Sequence, residues 1–237
     1  MIRRLLTAGL LPLMLVAAHA NELSTAEAEG RNLALQLLDQ MPVENSSLKA
    51  VLMIRESRSK RREIPVLCRA AVAQTNWQTI YETTPGTNGT ADTLVITHNG
   101  TNASNYELNG AVVPTAKTAV PFAGSDYWLM DLGLEFFHWP EQRVARKEFR
   151  SSRSCIVLES VNPEPAPGAY ARVLSWIDKE SYGIVHAEAY TTNGRQLKVF
   201  DPKEFKKVNG RWQLQEMEIR NIQTGSRTRL EFQLETK

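Results

Sequence analysis

The stretch Asn193-Gly-Arg-Gln-Leu-Lys-Val-Phe-Asp-Pro-Lys-Glu-Phe-Lys-Lys-Val-Asn209-Gly-Arg-Trp-Gln-Leu-Gln-Glu-Met-Glu-Ile-Arg-Asn221 decides the fold. It carries two Asn-Gly dipeptides, each beside a run of mixed apolar and polar residues. Both central residues of a type I′ turn need φ > 0, which Gly reaches without steric cost and Asn more readily than other residues. The runs Leu197–Lys206 and Trp212–Asn221 are therefore expected to be paired antiparallel strands. Which face of the second points inward stays open, because Trp212, Leu214, Glu216 and Glu218 alternate with Gln213, Gln215, Met217 and Ile219.

The same punctuation recurs at Asn88-Gly89, Asn99-Gly100 and Asn109-Gly110. Further strands are predicted at Leu48–Arg55, Ile64–Val72, Asn76–Thr83, Thr93–His98, Arg143–Phe149, Ser154–Val161, Tyr170–Asp178, Ile184–Tyr190 and Arg227–Leu234, with Tyr106–Leu108 as a shorter pairing segment. Ala111–Gly124, with Pro114 and Pro121, reads as loop. Helical signals are few. Ser24-Thr25-Ala26-Glu27 matches a capping box, and Leu33, Ala34, Leu37, Leu38 and Met41 form a stripe at helical spacing that Pro42 ends.

One other segment reads as helical. Ser125–Trp139 contains Tyr127, Trp128, Leu129, Met130, Leu132, Leu134, Phe136, Phe137 and Trp139, with Ser125 as a candidate N-cap and Pro140 as a stop. Its apolar residues surround the helix axis, so it must be enclosed. Gly133 is expected to divide it into two short helices.

At the N-terminus, Met1–Ala20 has Arg3 and Arg4, an uncharged apolar stretch from Leu5 to Ala18, and Ala18-His19-Ala20 before Asn21. These are the three regions of a cleavable secretory signal, with cleavage near Ala20. No cysteine follows that could accept lipid. Residues 21–237 read as one domain, and the expected location is a bacterial periplasm. Of 28 basic residues, removal of Arg3 and Arg4 leaves 26 against 26 acidic ones. A formally neutral chain argues against a protein that works mainly by attracting nucleic acid or anionic lipid surfaces through net charge, and only transient membrane contact is expected.

Cys68 and Cys155 are the only cysteines. In an oxidising compartment they could pair, and two buried thiols are the alternative. His98, His138 and His186 are too scattered for a metal motif, and there is no nucleophile elbow, phosphate loop or Cys-x-x-Cys pair. No cofactor or catalytic residue is expected. Glu216 and Glu218 read as a salt-bridged sheet face with Arg220 and Arg229 available, and Arg55, Arg58, Lys60, Arg61 and Arg62 as a solvated hairpin end.

The block Tyr170-Ala-Arg-Val-Leu-Ser-Trp-Ile-Asp-Lys-Glu-Ser-Tyr-Gly183, followed by Ala187-Glu-Ala-Tyr190, Asn193–Phe200, Lys207-Val-Asn-Gly-Arg-Trp212 and Met217–Thr228, resembles the LolA-like outer-membrane lipoprotein-sorting family. Tyr106, Gly124-Ser-Asp126 and Ser154-Cys-Ile-Val-Leu-Glu159 are also similar to that pattern, and the resemblance extends over residues 33–232. It implies a mainly β (α+β) protein: a half-open antiparallel barrel of about ten strands, with an N-terminal helix and a short apolar helical plug or lid. It also implies a carrier that binds acyl chains of lipid or lipoprotein in an apolar cavity.

The residues expected to line or gate that cavity are Trp77, Tyr81, Trp128, Leu129, Leu132, Phe136, Phe137, Trp139, Trp176 and Met217, for each of which core packing is the alternative. A protein-binding regulatory or sensor module of the envelope is the second functional reading. An enzyme is a third, lacking visible acid/base, nucleophile or metal constellations.

Overall fold

The computed structural model describes residues 24–56, 60–85, 91–208 and 211–234. The expected leader Met1–Ala20, Arg58, and the dipeptides Asn88-Gly89 and Asn209-Gly210 lie outside the described residues. A single antiparallel sheet dominates. Its strands are β1 (Ser46–Arg55), β2 (Arg61–Val72), β3 (Trp77–Thr83), β4 (Thr93–Asn99), β5 (Asn102–Leu108), β6 (Ala111–Val113), β7 (Glu141–Arg150), β8 (Arg153–Val161), β9 (Arg172–Asp178), β10 (Ile184–Tyr190), β11 (Gln196–Val208), β12 (Arg211–Asn221) and β13 (Arg227–Phe232). The order across the sheet is β6-β5-β4-β3-β2-β1-β13-β12-β11-β10-β9-β8-β7, so β6 and β7 are its two free edges.

This is the mainly β, unclosed architecture expected, with thirteen strands instead of about ten. One of the additions is β6, in a stretch read as loop. The turn before it behaves as its chemistry dictates: Asn109 and Gly110 take φ of 54° and 78° and set Leu108 opposite Ala111, which places a short third strand in register. At Asn99-Gly100 and Asn193-Gly194 only the glycine has positive φ. Asn99 there belongs to β4, opposite Asn102, and Asn193 accepts a hydrogen bond from the Arg195 amide.

The face of β12 is settled by bulges. Glu204 lies opposite Glu216 but Phe205 lies opposite Leu214, so β12 carries one extra residue there, and β11 carries an extra Lys203 one step earlier. A single inserted residue reverses which side chains face inward. Met217 and Ile219 are therefore inward on one side of the bulge, and Leu214 and Trp212 on the other. Glu218 points outward, 3% exposed beneath Arg229, Arg220, Arg227 and Lys203.

Between the two edges the chain crosses the concave face. Residues 114–140 run from β6 to β7 through the helix α2, Leu129–Leu132, and a 3-10 turn, Glu135–His138. Gly133 separates them as expected, but Ser125 does not cap α2. Its hydroxyl accepts from the Tyr127 amide, and helix capping passes to Asp131, which accepts from the Trp128 amide. This crossover is the apolar plug. Phe122, Tyr127, Leu129 and Leu132 pack with β1–β5 and residues Ile219 and Leu230, while Met130, Phe136, Phe137 and Trp139 pack with β8–β10.

The N-terminal helix α1 spans Thr25–Leu38, with both capping-box hydrogen bonds between Ser24 and Glu27 formed. Leu33 and Ala34 are buried, Leu37 is partly buried, and Met41 falls beyond the helix in an exposed position. Gly30 lies directly on the backbone of Arg143 in β7, where a Cβ would stand 2.3 Å from the Arg143 Cα.

Of the two alternatives for Cys68 and Cys155, a pair or two buried thiols, the structure has the second. Both cysteines are free and buried. Cys68 packs beside Tyr81 in the cluster under the plug, whereas Cys155 packs with Val157, Leu174 and Trp176 in a separate cluster. On β8 Cys155 and Val157 alternate with Ile156 and Leu158, which face the plug side, so the two sulfurs lie on opposite sheet faces. Burial pushes the Cys68 thiol up to about 12.

Glycine to alanine in a helix normally adds about 1 kcal/mol of stability. Gly30→Ala should do the reverse, because the new methyl meets backbone that cannot move aside; overpacking of this kind costs about 1–3 kcal/mol. Urea unfolding of the variant beside the parent, with an unchanged slope and a lower midpoint, checks this.

Candidate functional site

The plug does not fill the concave face. Between it, β10 and the bulged parts of β11 and β12 lies a cavity of about 620 Å³. Leu132, Leu134 and Phe137 form the plug wall, and Phe200, Leu214 and Met217 the sheet wall. Leu134 reaches the space because it adopts a left-handed conformation, φ 51°, directly after Gly133. The bulges serve the same end. Without them Phe205, Leu214 and Trp212 would point to the convex side.

At its inner end the groove meets a small second cavity, of about 40 Å³, that shares Asp131, Leu134, Ile184 and Phe200 with it and adds Phe136, Tyr170 and Lys198. Its lining is mainly apolar, with Asp131 and Lys198 as the only charged side chains, and neither is spare. The Asp131 carboxylate accepts from the Trp128 amide (2.8 Å), the Tyr170 hydroxyl (2.9 Å) and the Lys198 ammonium (3.2 Å). Lys198, 2% exposed, also donates to the Asp126 carbonyl (2.6 Å) and sits 3.6 Å from the Trp128 ring centroid. Burial lowers the pKa of Lys198 and the Asp131 carboxylate opposes that fall.

The ten residues expected to line or gate the cavity separate into groups. Tyr81, Leu132, Phe137 and Met217 line the groove, and Phe136 lines its inner extension. Trp128 stacks on Tyr170 at 4.7 Å and closes over Lys198. Leu129 and Trp139 are core, in different clusters. Trp77 stacks on His98 at 3.9 Å, away from the groove residues. Trp176 faces the other side of the sheet, where its indole donates to Glu148 and the Arg150 guanidinium lies 4.8 Å from its ring.

The residues that sequence reading missed are Asp131, Lys198, Phe200, Phe205 and Leu214. A usable signal existed for one of them, since Lys198 shares strand parity with Phe200.

A family model described as "-like: Uncharacterized protein" matches residues 112–235, just over half of the chain. The chain belongs to that family. Its fold is LolA-like. A Vibrio parahaemolyticus domain named for outer membrane lipoprotein sorting aligns over 88% of this chain and 92% of its own, with a TM-score of 0.74 and 17% identity. A DUF1329 family protein from Desulfovibrio piger aligns over 88% and 92%, at 0.71 and 15%. A LolA superfamily protein from Nitrosomonas europaea aligns over 90% and 94%, at 0.60 and 12%. No curated protein matches the sequence.

In this LolA-like sheet the plug is latched on both sides of the groove. Asp126 accepts from Ser226 and Thr228, and the Tyr127 hydroxyl donates to the Met217 carbonyl. On the other half the Tyr106 hydroxyl donates to Glu135 (2.8 Å), and Gly133 lies so close that a Cβ would stand 2.1 Å from that hydroxyl. Glu135 is 5% exposed, and burial pushes its carboxyl up to about 7, against a smaller lowering from Tyr106.

Two predictions follow from these groups. Glu135 holds its proton in the folded chain at pH values where the unfolded chain has released it, so its burial costs nothing below about 4.5, costs more as pH rises, and reaches its full penalty above about 7. Glu135→Gln should therefore match the parent near pH 4.5 and exceed its unfolding free energy by up to about 3 kcal/mol at pH 8, taking 1.36 kcal/mol per pKa unit. Denaturant titrations at the two pH values measure this. Lys198→Met should cost about 3–5 kcal/mol by leaving the Asp131 carboxylate buried and unpaired, and Lys198→Met with Asp131→Asn should recover part of that loss in the same titrations.

Proposed function

We propose that this protein is a non-catalytic carrier of acyl chains, taking up lipid or the lipid part of a lipoprotein in the groove between plug and sheet, and working in the periplasm. The observation that carries this reading is the cavity itself. Its volume falls within the roughly 300–1,000 Å³ usual for ligand sites, and its walls are mostly apolar and aromatic side chains, with Gln40, Asp131, Arg153 and Ser181 among them. Binding there needs no reacting group, because each methylene removed from water contributes about 0.8 kcal/mol.

Polar chemistry in the cavity supports the same reading. Asp131, Lys198 and Tyr170 satisfy one another, so the inner end offers a closed network to a ligand and no free charge to an anionic headgroup. An acyl chain would enter tail first, with its polar end left at the mouth. Among the described residues no group of three or more His, Cys, Asp or Glu side chains could hold a metal, and no helix is long and apolar enough to cross a membrane. The fold relatives include proteins named for lipoprotein sorting and for the LolA superfamily, which is consistent with a carrier.

A fluorescent fatty acid should bind saturably, and gently purified protein should carry acyl species in native mass spectrometry. Leu214→Trp and Met217→Trp, which fill the groove from the sheet wall, should weaken uptake at least tenfold while retaining the parent's circular dichroism. Absence of both uptake and bound acyl species in the parent protein would sink the carrier reading.

A further inference from the structure

We propose that the open end of the groove is a membrane-docking surface that seats on an anionic phospholipid leaflet, so that an acyl chain passes between groove and bilayer without crossing water. This inference rests on the carrier reading above. Antiparallel alternation brings to one end of the sheet the connection Arg150–Arg153 between β7 and β8, the connection Asp178–Ile184 between β9 and β10, and the paired ends of β11 and β12. They touch. The Lys179 amide donates to the Ser154 carbonyl at 3.0 Å, and the Arg153 guanidinium lies 5.9 Å from the Phe205 ring.

Four large aromatic side chains are exposed among the described residues, and all four lie at this end: Phe149 at 81%, Trp212 at 71%, Phe205 at 42% and Tyr182 at 41%. The other exposed large apolar residues, such as Leu35, Val112, Leu134 and Ile222, are not aromatic. Tyr182, Phe205 and Trp212 line the groove where it opens, so the patch is continuous with the cavity. Phe149 extends it outward. It sits opposite Ser154 on the concave side of β7, one residue from the outward-facing Glu148.

An aromatic rim of this kind suits a bilayer interface, where ring bodies enter the headgroup region while indole and phenol groups stay hydrated. The charges around it give the leaflet its sign. Arg150, Arg153, Lys179, Lys206 and Lys207 stand there against Asp178, Glu180 and Glu204, with Arg153 and Asp178 paired at 2.8 Å. The excess is small and cationic. Apolar insertion and attraction to anionic lipid are each weak alone and add when combined, which suits a carrier that must also leave.

The test uses exported protein whose mass shows that residues 1–20 are gone. It should co-sediment with phosphatidylcholine vesicles containing phosphatidylglycerol and less with phosphatidylcholine alone, with a blue shift of tryptophan emission that Trp212→Phe removes. Phe149→Ser combined with Lys179→Glu and Lys207→Glu changes no groove-lining residue. That variant should lose vesicle affinity about tenfold or more while keeping its melting temperature and its uptake of fluorescent fatty acid. Fatty-acid uptake with no vesicle binding by the parent overturns docking and leaves the carrier reading standing. Equal vesicle binding by parent and variant also overturns it, as does loss in the variant of self-association or of a protein complex in place of vesicle binding. No uptake of fatty acid at all marks failure of the carrier reading itself.

Discussion

The carboxylate of Asp131 holds the plug on the sheet. It caps α2 from within, takes the hydroxyl of Tyr170 just ahead of β9 and the ammonium of Lys198 from β11, and so ties one short crossover to two places in the C-terminal half. Taking a charge out of water is costly unless the charge is paired and its hydrogen bonds are met. Here each partner meets the other's requirement, and Lys198 is further covered by the Trp128 ring and the Asp126 carbonyl. With the plug fixed at this point, what remains of the concave face is left as open space.

That space also depends on backbone irregularity. A thirteen-stranded concave face offers more apolar surface than residues 114–140 can cover, and the bulges in β11 and β12 extend it by turning Phe205, Leu214 and Trp212 inward. Leu134, in a left-handed conformation, supplies the facing wall. The groove is therefore built from places where regular strand and helix geometry is broken. Its inner end holds the same network that seats the plug, which leaves the mouth as the route for a guest.

Local chemistry was readable in the sequence wherever it acts alone. The capping box at Ser24 and Glu27, the turn at Asn109-Gly110 and the break at Gly133 are all present as their residue types require. What the sequence did not disclose depends on partners far along the chain. Ser125 was a sound N-cap candidate, but Asp131 displaced it by serving the helix, Tyr170 and Lys198 together. Strand alternation could not orient β12, because the inserted residue that reverses its face is visible only against β11. Aromatic content gave no guide to side: Trp176 and Trp139 looked as suited to a cavity as Phe137, yet one faces the opposite surface of the sheet and the other fills the core.

The strand order has a consequence for how the molecule comes into being. β1 pairs with both β2 and β13, and its Ala50 lies opposite Phe232, so the first strand of the sheet waits for the last. Each flank can form early from hairpins between neighbours in sequence, but the central seam brings together residues separated by most of the chain, the kind of contact that slows folding. A ribosome-bound chain therefore stays incomplete until its final strand has been made, and a polypeptide that cannot finish folding early remains threadable through a translocation pore.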